Sequence, residues 1–303
     1  MIQYGQPQYA ETNAMLNAAL TRCRPLIMVH RGTHAGLVVQ NTDAAVRAAV
    51  TSGADIIEID LARSTDGEFY VFHDGYELDL LGHRANLTTL PAAQIDAMPY
   101  YRSHGVTKPA HVERAAALFE THRGRTLFNV DRSWFWWPEL FGLLDQLDIA
   151  GQIVLKCNAV DDLVAHLVAH PVKYPFTPMV FTMEEALRYV GEPELNLVGL
   201  ELIAHGPDSP FLDPANLAEL RSHGLHLMAN AEVIKQDTAL FNRYDDEVAI
   251  FDNPDAGWGP LFDLDMDIIQ TDWPWLLRDY RSVRAERAAQ ADQGAQDSAA
   301  EAR

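Results

Sequence analysis

The stretch GADIIEIDLARSTDGEFYVFHD, residues 53–74, decides the fold. Two apolar runs of strand character, DIIEIDLA (55–62) and EFYVFHD (68–74), are joined only by RSTDG. A parallel crossover needs a dozen or more residues, so these runs are expected to pair antiparallel, with Asp66-Gly67 as a two-residue hairpin turn. That turn would set Asp60 directly opposite His73, with Glu58 two residues away on the same face. Two carboxylates and a histidine are thereby expected in one patch.

Outward from the hairpin, short apolar runs alternate with helical patterns. The runs are LIMVH (26–30), TLFNVD (126–131), QIVLK (152–156), MVFTM (179–183), LVGLELI (197–203), LHLMAN (225–230) and DIIQTD (267–272). Most are continuously apolar, as parallel strands covered on both faces must be. Between the first run and the hairpin, NTDAAVRAAVTSG reads as a helix stopped by Gly53. Eight crossover strands plus one antiparallel addition predict a TIM (β/α)8 barrel, a single domain over residues 1–280. Residues about 75–110 contain no clear barrel element and are expected to be a small insertion after the second-strand hairpin. From Arg281 the chain becomes alanine-rich and polar, which predicts a frayed helix or disordered tail over 281–303.

At 303 residues, 48% hydrophobic and 22% charged, the composition is that of a globular chain. The formal charge of −20 argues against nucleic acid and anionic membrane surfaces as partners. It also means that an anionic substrate would need a bound cation or a local basic cluster. No run is long enough to span a bilayer, and no basic-then-apolar leader opens the sequence, so a cytoplasmic setting without a membrane anchor is expected. Cys23 and Cys157 are too few for a disulfide framework and are read as reduced thiols, with Cys157 a small core residue.

The chemistry gathers at strand ends, where barrel enzymes carry it. His30-Arg31-Gly32 closes the first run, offering a proton-transfer group beside a phosphate clamp. Glu58-x-Asp60, His73-Asp74, Asn129-x-Asp131, Lys156 and Glu201 stand at or near later strand ends. Buried carboxylates of one sign are costly without a cation between them. Glu58, Asp60 and Asp131 therefore read as hard oxygen ligands for Mg²⁺ or Ca²⁺, with Mn²⁺ as a further candidate, rather than for zinc. The competing reading pairs Glu58 and Asp60 with neighbouring Lys or Arg.

The run HRG, then Asn41-Thr42 opening a helix, then residues 53–74, resembles the glycerophosphodiester phosphodiesterase family. DIIQTDWPWLL is similar to that family's closing strand and helix. GHRANLTTLPAAQIDAM is similar to the small domain inserted after the family's second histidine. The likeness spans about Leu26 to Leu277. It implies a metal-dependent hydrolase acting on a small-molecule phosphodiester, with His30 and His73 as general acid and base. Glu58 and Asp60 would bind the cation, and Arg31 would contact the phosphate.

Two departures stand out. Gln40 occupies the place of a family Glu. Where the family has a Glu and, two residues on, a Lys, this chain has Asp131 and Ser133. Asp131 can still ligate, whereas Ser133 cannot supply a cationic phosphate contact. Lys156, on the next strand about 5 Å away, is the expected replacement; Arg132 should face away from Asp131.

Glu201 is a candidate contact to a polar substrate group or to the metal. His34, Asn230 and Asp272 are weaker candidates. The aromatic run SWFWWPEL (133–140) reads as core with a possible entrance residue, and the acid-rich 244–267 as a solvated loop. Two rivals remain. One is a sphingomyelinase D-like lyase that releases a cyclic phosphate; the other is a non-catalytic barrel that binds phosphorylated metabolites.

Overall fold

A computed structural model of the chain describes residues 3–101, 110–234 and 238–301. The nine apolar runs all become strands: β1 (Leu26–Val29), β2 (Ile56–Arg63), β3 (Phe69–Val71), β5 (Leu127–Asp131), β6 (Ile153–Leu155), β7 (Met179–Val180), β8 (Gly199–Leu202), β9 (His226–Asn230) and β10 (Ile268–Thr271). A two-residue strand, β4 (Glu113–Arg114), extends the hairpin edge by pairing with β3.

Parallel pairing runs from β7 through β8, β9, β10, β1, β2 and β5 to β6. The ring is completed between β6 and the segment leading into β7. There Leu155 N donates to Pro175 O at 2.8 Å, and Thr177 N donates to Leu155 O at 2.9 Å. The result is the eight-stranded parallel α/β barrel expected from the alternation of runs and helices.

Alternation along each strand sorts residues into two sets. Outward residues such as Ile27, Ile57, Ile59, Phe128 and Val130 join the large core beneath the helices. Inward residues form layers. The lowest is apolar, with Leu26, Met28, Ile56, Leu127, Val154, Met228 and Ile268 packed on Leu16 and Leu20 of the helix Ala14–Arg22. Two positions further along the same strands lie Glu58, Asn129, Lys156, Asn230 and Gln270, all buried. The period that builds the core therefore also carries polar groups to the strands' C-terminal ends.

The first βα connection is tightly held. Thr42 caps the helix Asp43–Thr51, its hydroxyl accepting from Ala45 N. Gly32, at φ +69°, presses so close to Ala45 that an added Cβ would lie 2.8 Å from its backbone. Gly53, at φ +97°, follows the helix end as expected.

The hairpin register is not the expected one. Leu61 pairs with Val71 and Ala62 with Tyr70, which sets Asp60 opposite Phe72 rather than His73; Phe72 N donates to Asp60 O at 3.0 Å. The cause is a longer loop, Thr65-Asp66-Gly67, closed by Ser64 N to Glu68 O at 2.9 Å and Gly67 N to Ser64 O at 3.2 Å. Gly67 adopts φ +100°, the left-handed residue of a bulged three-residue hairpin. His73 lies beyond the end of β3, so it approaches the site from a turn and not as a cross-strand partner.

Between β3 and β4, short helices at Glu77–Leu81 and Ala92–Asp96 pack a separate small core that includes Tyr70, Phe72, Leu87, Ile95 and Tyr100. Residues 102–109 of the expected insertion lie outside the described residues. The acid-rich segment is not a solvated loop but three short helices, Asp246–Phe251, Pro254–Gly257 and Gly259–Asp263, the first capped by Asp245. The last helix, Pro274–Glu301, buries Leu277 and Tyr280, while residues 285–291 are exposed. No helix among the described residues is long and apolar enough to cross a membrane.

Candidate active site

A cavity of about 570 Å³ opens at the C-terminal ends of the barrel strands, and His30, Arg31, Asp60, His73, Asp131, Lys156 and Glu201 all line it. Glu58 lies beneath them, buried. Oxygen atoms of Glu58, Asp60 and Asp131 come within 4.8 Å of one another. This grouping follows from register, since β2 and β5 pair Glu58 with Asn129 and Asp60 with Asp131.

Each acid has a defined partner. Asp60 Oδ2 accepts from Asn41 Nδ2 at 2.9 Å and lies 3.0 Å from Arg31 Nε. Asn41 Oδ1 in turn accepts from Asp60 N, so one amide fixes both ends of that residue. Glu58 Oε2 accepts from Arg31 N at 2.8 Å. Arg31 and Asn41 both take left-handed backbone angles, φ +55° and +57°, a strained arrangement for residues other than glycine. The Arg31 guanidinium also lies over the Tyr76 ring, 4.9 Å from its centroid.

Burial, reinforced by the Asp60 charge, pushes the Glu58 carboxyl well above the ordinary carboxylate range despite His30 and Lys156 nearby. A hard divalent cation among these oxygens would favour the charged form of Glu58 that burial disfavours, and it suits such an all-oxygen set. Of the competing Lys or Arg pairing, Asp60 finds the Arg31 guanidinium, whereas Glu58 meets only the Arg31 backbone N–H, and the oxygens of the three acids stay grouped.

The two histidines are held differently. His30 Nδ1 lies 3.0 Å from Asp272 Oδ1. Burial lowers its affinity for a proton, but the Asp272 hydrogen bond and the charges of Asp272, Glu58 and Glu232 outweigh that, lifting it to about 9. His73 Nδ1 lies 2.7 Å from the Asp74 carbonyl, and its ring packs edge-on against Tyr76. Burial lowers the His73 pKa, with Arg31 and Arg132 adding to the effect against Asp60.

Lys156 is buried, with Nζ 2.8 Å from Asp131 Oδ2 and 3.3 Å from Glu201 Oε2. Burial opposes its charge, yet Asp131, Glu201 and Glu58 together raise its pKa. Ser133, by contrast, accepts from Trp137 Nε1 at 3.0 Å and is fully buried away from the cavity lining. Arg132 turns from Asp131 to pair with Asp74 at 2.7 Å. Cys157 is a buried core thiol, pushed up to about 12 by burial. His34 is exposed in its loop and does not line the cavity.

The profile of the glycerophosphoryl diester phosphodiesterase family matches residues 30–135, the segment that carries both histidines and all three clustered acids. The match is a likeness to that family over residues 30–135 of the 303. A sequence search of curated proteins returned no match. Solved structures show the same fold. A glycerophosphodiester phosphodiesterase from Agrobacterium tumefaciens is 21% identical, with a TM-score of 0.59 over 83% of this chain and 97% of its own. A glycerophosphoryl diester phosphodiesterase from Parabacteroides distasonis is 14% identical, with a TM-score of 0.65 over 86% of each chain. A phosphodiesterase from Oleispira antarctica, solved with the product sn-glycerol-3-phosphate, is 16% identical, with a TM-score of 0.62 over 86% of this chain and 98% of its own.

Several residues of the candidate site escaped the sequence reading. Glu232 is buried, lines the cavity and accepts from Gln270 Nε2 at 2.7 Å; burial lifts its carboxyl to about 7. Asp246 accepts from Trp258 Nε1, Thr271 Oγ1 and Asp272 N, all at 2.8–2.9 Å, and so fixes the residue that holds His30. Two-residue alternation from Asn230 and Asp272 would have pointed to Glu232 and Gln270. Nothing local in the sequence distinguishes Asp246 from the acids around it.

Proposed function

We propose that the chain hydrolyses a glycerophosphodiester-type phosphodiester to an alcohol and a phosphomonoester, with His30 as general acid and His73 as general base. The observation that carries this reading is that one cavity joins both histidines, Arg31, Lys156 and the three-acid cluster.

Roles follow from what each Nδ1 touches. A carbonyl oxygen only accepts, so His73 Nδ1 must donate to Asp74, leaving Nε2 with a free lone pair. That atom can take the proton of the attacking water. Asp272 favours the protonated form of His30 and orients it, leaving its Nε2–H to protonate the departing alkoxide. Arg31 and Lys156 would offset charge on the phosphoryl oxygens. Glu58, Asp60 and Asp131 would hold Mg²⁺, Ca²⁺ or Mn²⁺, which when bound polarises the phosphoryl group and offsets its developing charge. Tyr76, in the segment between β3 and β4, lines the cavity, and that segment's described residues would form one wall of the entrance as a small inserted unit.

Phosphorus NMR of the protein with glycerophosphocholine and other diesters, with each cation and with EDTA, tests this. A cation-dependent phosphomonoester signal is expected, absent in His30→Ala and His73→Ala. A cyclic phosphate product would replace hydrolysis with the lyase reaction, and wild-type rates in both variants would remove the assigned roles.

A further inference from the structure

Where β8, β9 and β10 meet the cavity, amides and carboxylates are joined in pairs. Asn230 Nδ2 donates to Glu201 Oε1 at 2.7 Å, and Gln270 Nε2 donates to Glu232 Oε1 at 2.7 Å. Strand pairing sets Asn230 beside Gln270, and Glu232 follows two residues after Asn230, so the two pairs adjoin. All four side chains line the cavity and are buried, none more than 3% exposed. The Glu201 charge is met by Lys156, with Nζ 3.3 Å from Oε2. Among the described residues, Asn230 Oδ1, Glu232 Oε2 and Gln270 Oε1 have no hydrogen-bond partner. Each amide has given its N–H to a carboxylate, so what remains turned to the cavity is a set of acceptors.

A buried acceptor without a donor is costly, so these three call for N–H or O–H groups on whatever fills the cavity. A primary ammonium brings three donors and no acceptor. A hydroxyl brings one donor and an acceptor that none of the three can serve, and a quaternary ammonium brings no donor. Glu232 favours a charged guest over a neutral one. Burial lifts its carboxyl to about 7 even with the His30 charge nearby, and a second cation beside it restores the carboxylate. The same nearness to His30 puts the acceptors on the side of the oxygen that His30 would protonate. We infer that the leaving arm of the substrate is an amino alcohol, its primary ammonium held by Asn230 Oδ1, Glu232 Oε2 and Gln270 Oε1. This rests on the phosphodiesterase reading and adds the class of leaving group to it. The reaction balances without another reactant. Water oxygen bonds to phosphorus as the bond from phosphorus to the amino alcohol oxygen breaks. The water proton passes to His73, and the His30 proton goes to the leaving oxygen.

The test follows phosphomonoester release from glycerophosphoethanolamine and from its N-methyl, N,N-dimethyl and N,N,N-trimethyl forms, the last being glycerophosphocholine. The positive charge is kept along the series while N–H donors are removed one at a time. kcat/KM is expected to fall about ten-fold with each donor lost, the scale of a hydrogen bond to a charged group. Glu232→Gln keeps the size and removes the charge, and should lower the ethanolamine-to-choline ratio of kcat/KM by about ten-fold or more. Taking the ratio cancels any effect of Glu232 on His30, which acts on both substrates. Equal or rising kcat/KM across the wild-type series, or an unchanged ratio in Glu232→Gln, overturns the inference while leaving hydrolysis in place. No turnover of any member overturns the phosphodiesterase reading with it.

Discussion

Lys156 Nζ lies 2.8 Å from Asp131 Oδ2, so the cation beside the third acid comes from the neighbouring strand and not from two residues further along β5. Position 133 could not have supplied it, because Ser133 turns into the core to meet Trp137. Lys156→Met should therefore lower kcat/KM by about 100-fold or more, on the scale of losing one charge-stabilising donor. It also leaves Asp131 and Glu201 facing each other without a cation, so unfolding free energy should drop by about 3 kcal/mol. Ser133→Ala should spare turnover and cost about 1 kcal/mol through the lost Trp137 hydrogen bond. Steady-state kinetics with denaturant titrations separates the two positions; a large kinetic loss at Ser133 would reverse their roles.

In the proposed reaction His30 is the proton donor, and its hydrogen bond to Asp272 would hold it in that form. A general acid works only while protonated, so activity falls as pH rises through its pKa. Removing the carboxylate charge in Asp272→Asn lowers that pKa from its raised position, and the alkaline limb of the pH–rate profile should move to lower pH. The amide still offers an oxygen to Nδ1, so KM should change less than kcat. An unmoved alkaline limb in Asp272→Asn would show that His30 is not the acid.

Chelation should abolish turnover, and Mg²⁺, Ca²⁺ or Mn²⁺ should restore it to differing degrees. A cation held by the folded acid cluster and not by the unfolded chain should also raise the melting temperature by mass action. Asp131→Asn should raise the cation concentration needed for half-maximal stabilisation. A melting temperature indifferent to all three cations, in wild type and variant alike, would remove the metal role from Glu58, Asp60 and Asp131.

The barrel and the core of the site were legible because both rest on short-range periodicity. Continuous apolar runs announce buried parallel strands, and residues two apart on a strand share a face, so Glu58 and Asp60 could be grouped from spacing alone. The hairpin register was not legible. Asp66-Gly67 suits a two-residue turn, but Asp66 Oδ1 instead accepts from Ser64 Oγ and Ala92 N, contacts that favour the longer loop. Ala92 is 26 residues away in sequence, beyond any local pattern. Asp246 was missed for the same reason, since its partners Thr271 and Asp272 are brought to it only by the closed barrel.

His226 gives a stability prediction remote from catalysis. Its ring is buried at the start of β9, packed edge-on against Tyr4 and so close to Gly199 that a Cβ there would lie 2.3 Å away. Among the described residues Nδ1 has no hydrogen-bond partner, and burial depresses the pKa from 6.5 to about 4, against a smaller opposing pull from Asp267. The folded protein thus prefers neutral His226. Above pH 6.5 the ring is neutral in both states and the full contribution is present. Between about 6.5 and about 4 the unfolded chain takes up a proton that the fold refuses, so stability falls as pH falls, by on the order of 1 kcal/mol per pH unit. His226→Gln, which cannot titrate, should show a shallower decline over that window in urea unfolding, even if it starts from a lower stability. Parallel declines in the two proteins would mean that His226 is already charged in the fold, with Asp267 rather than burial setting its state.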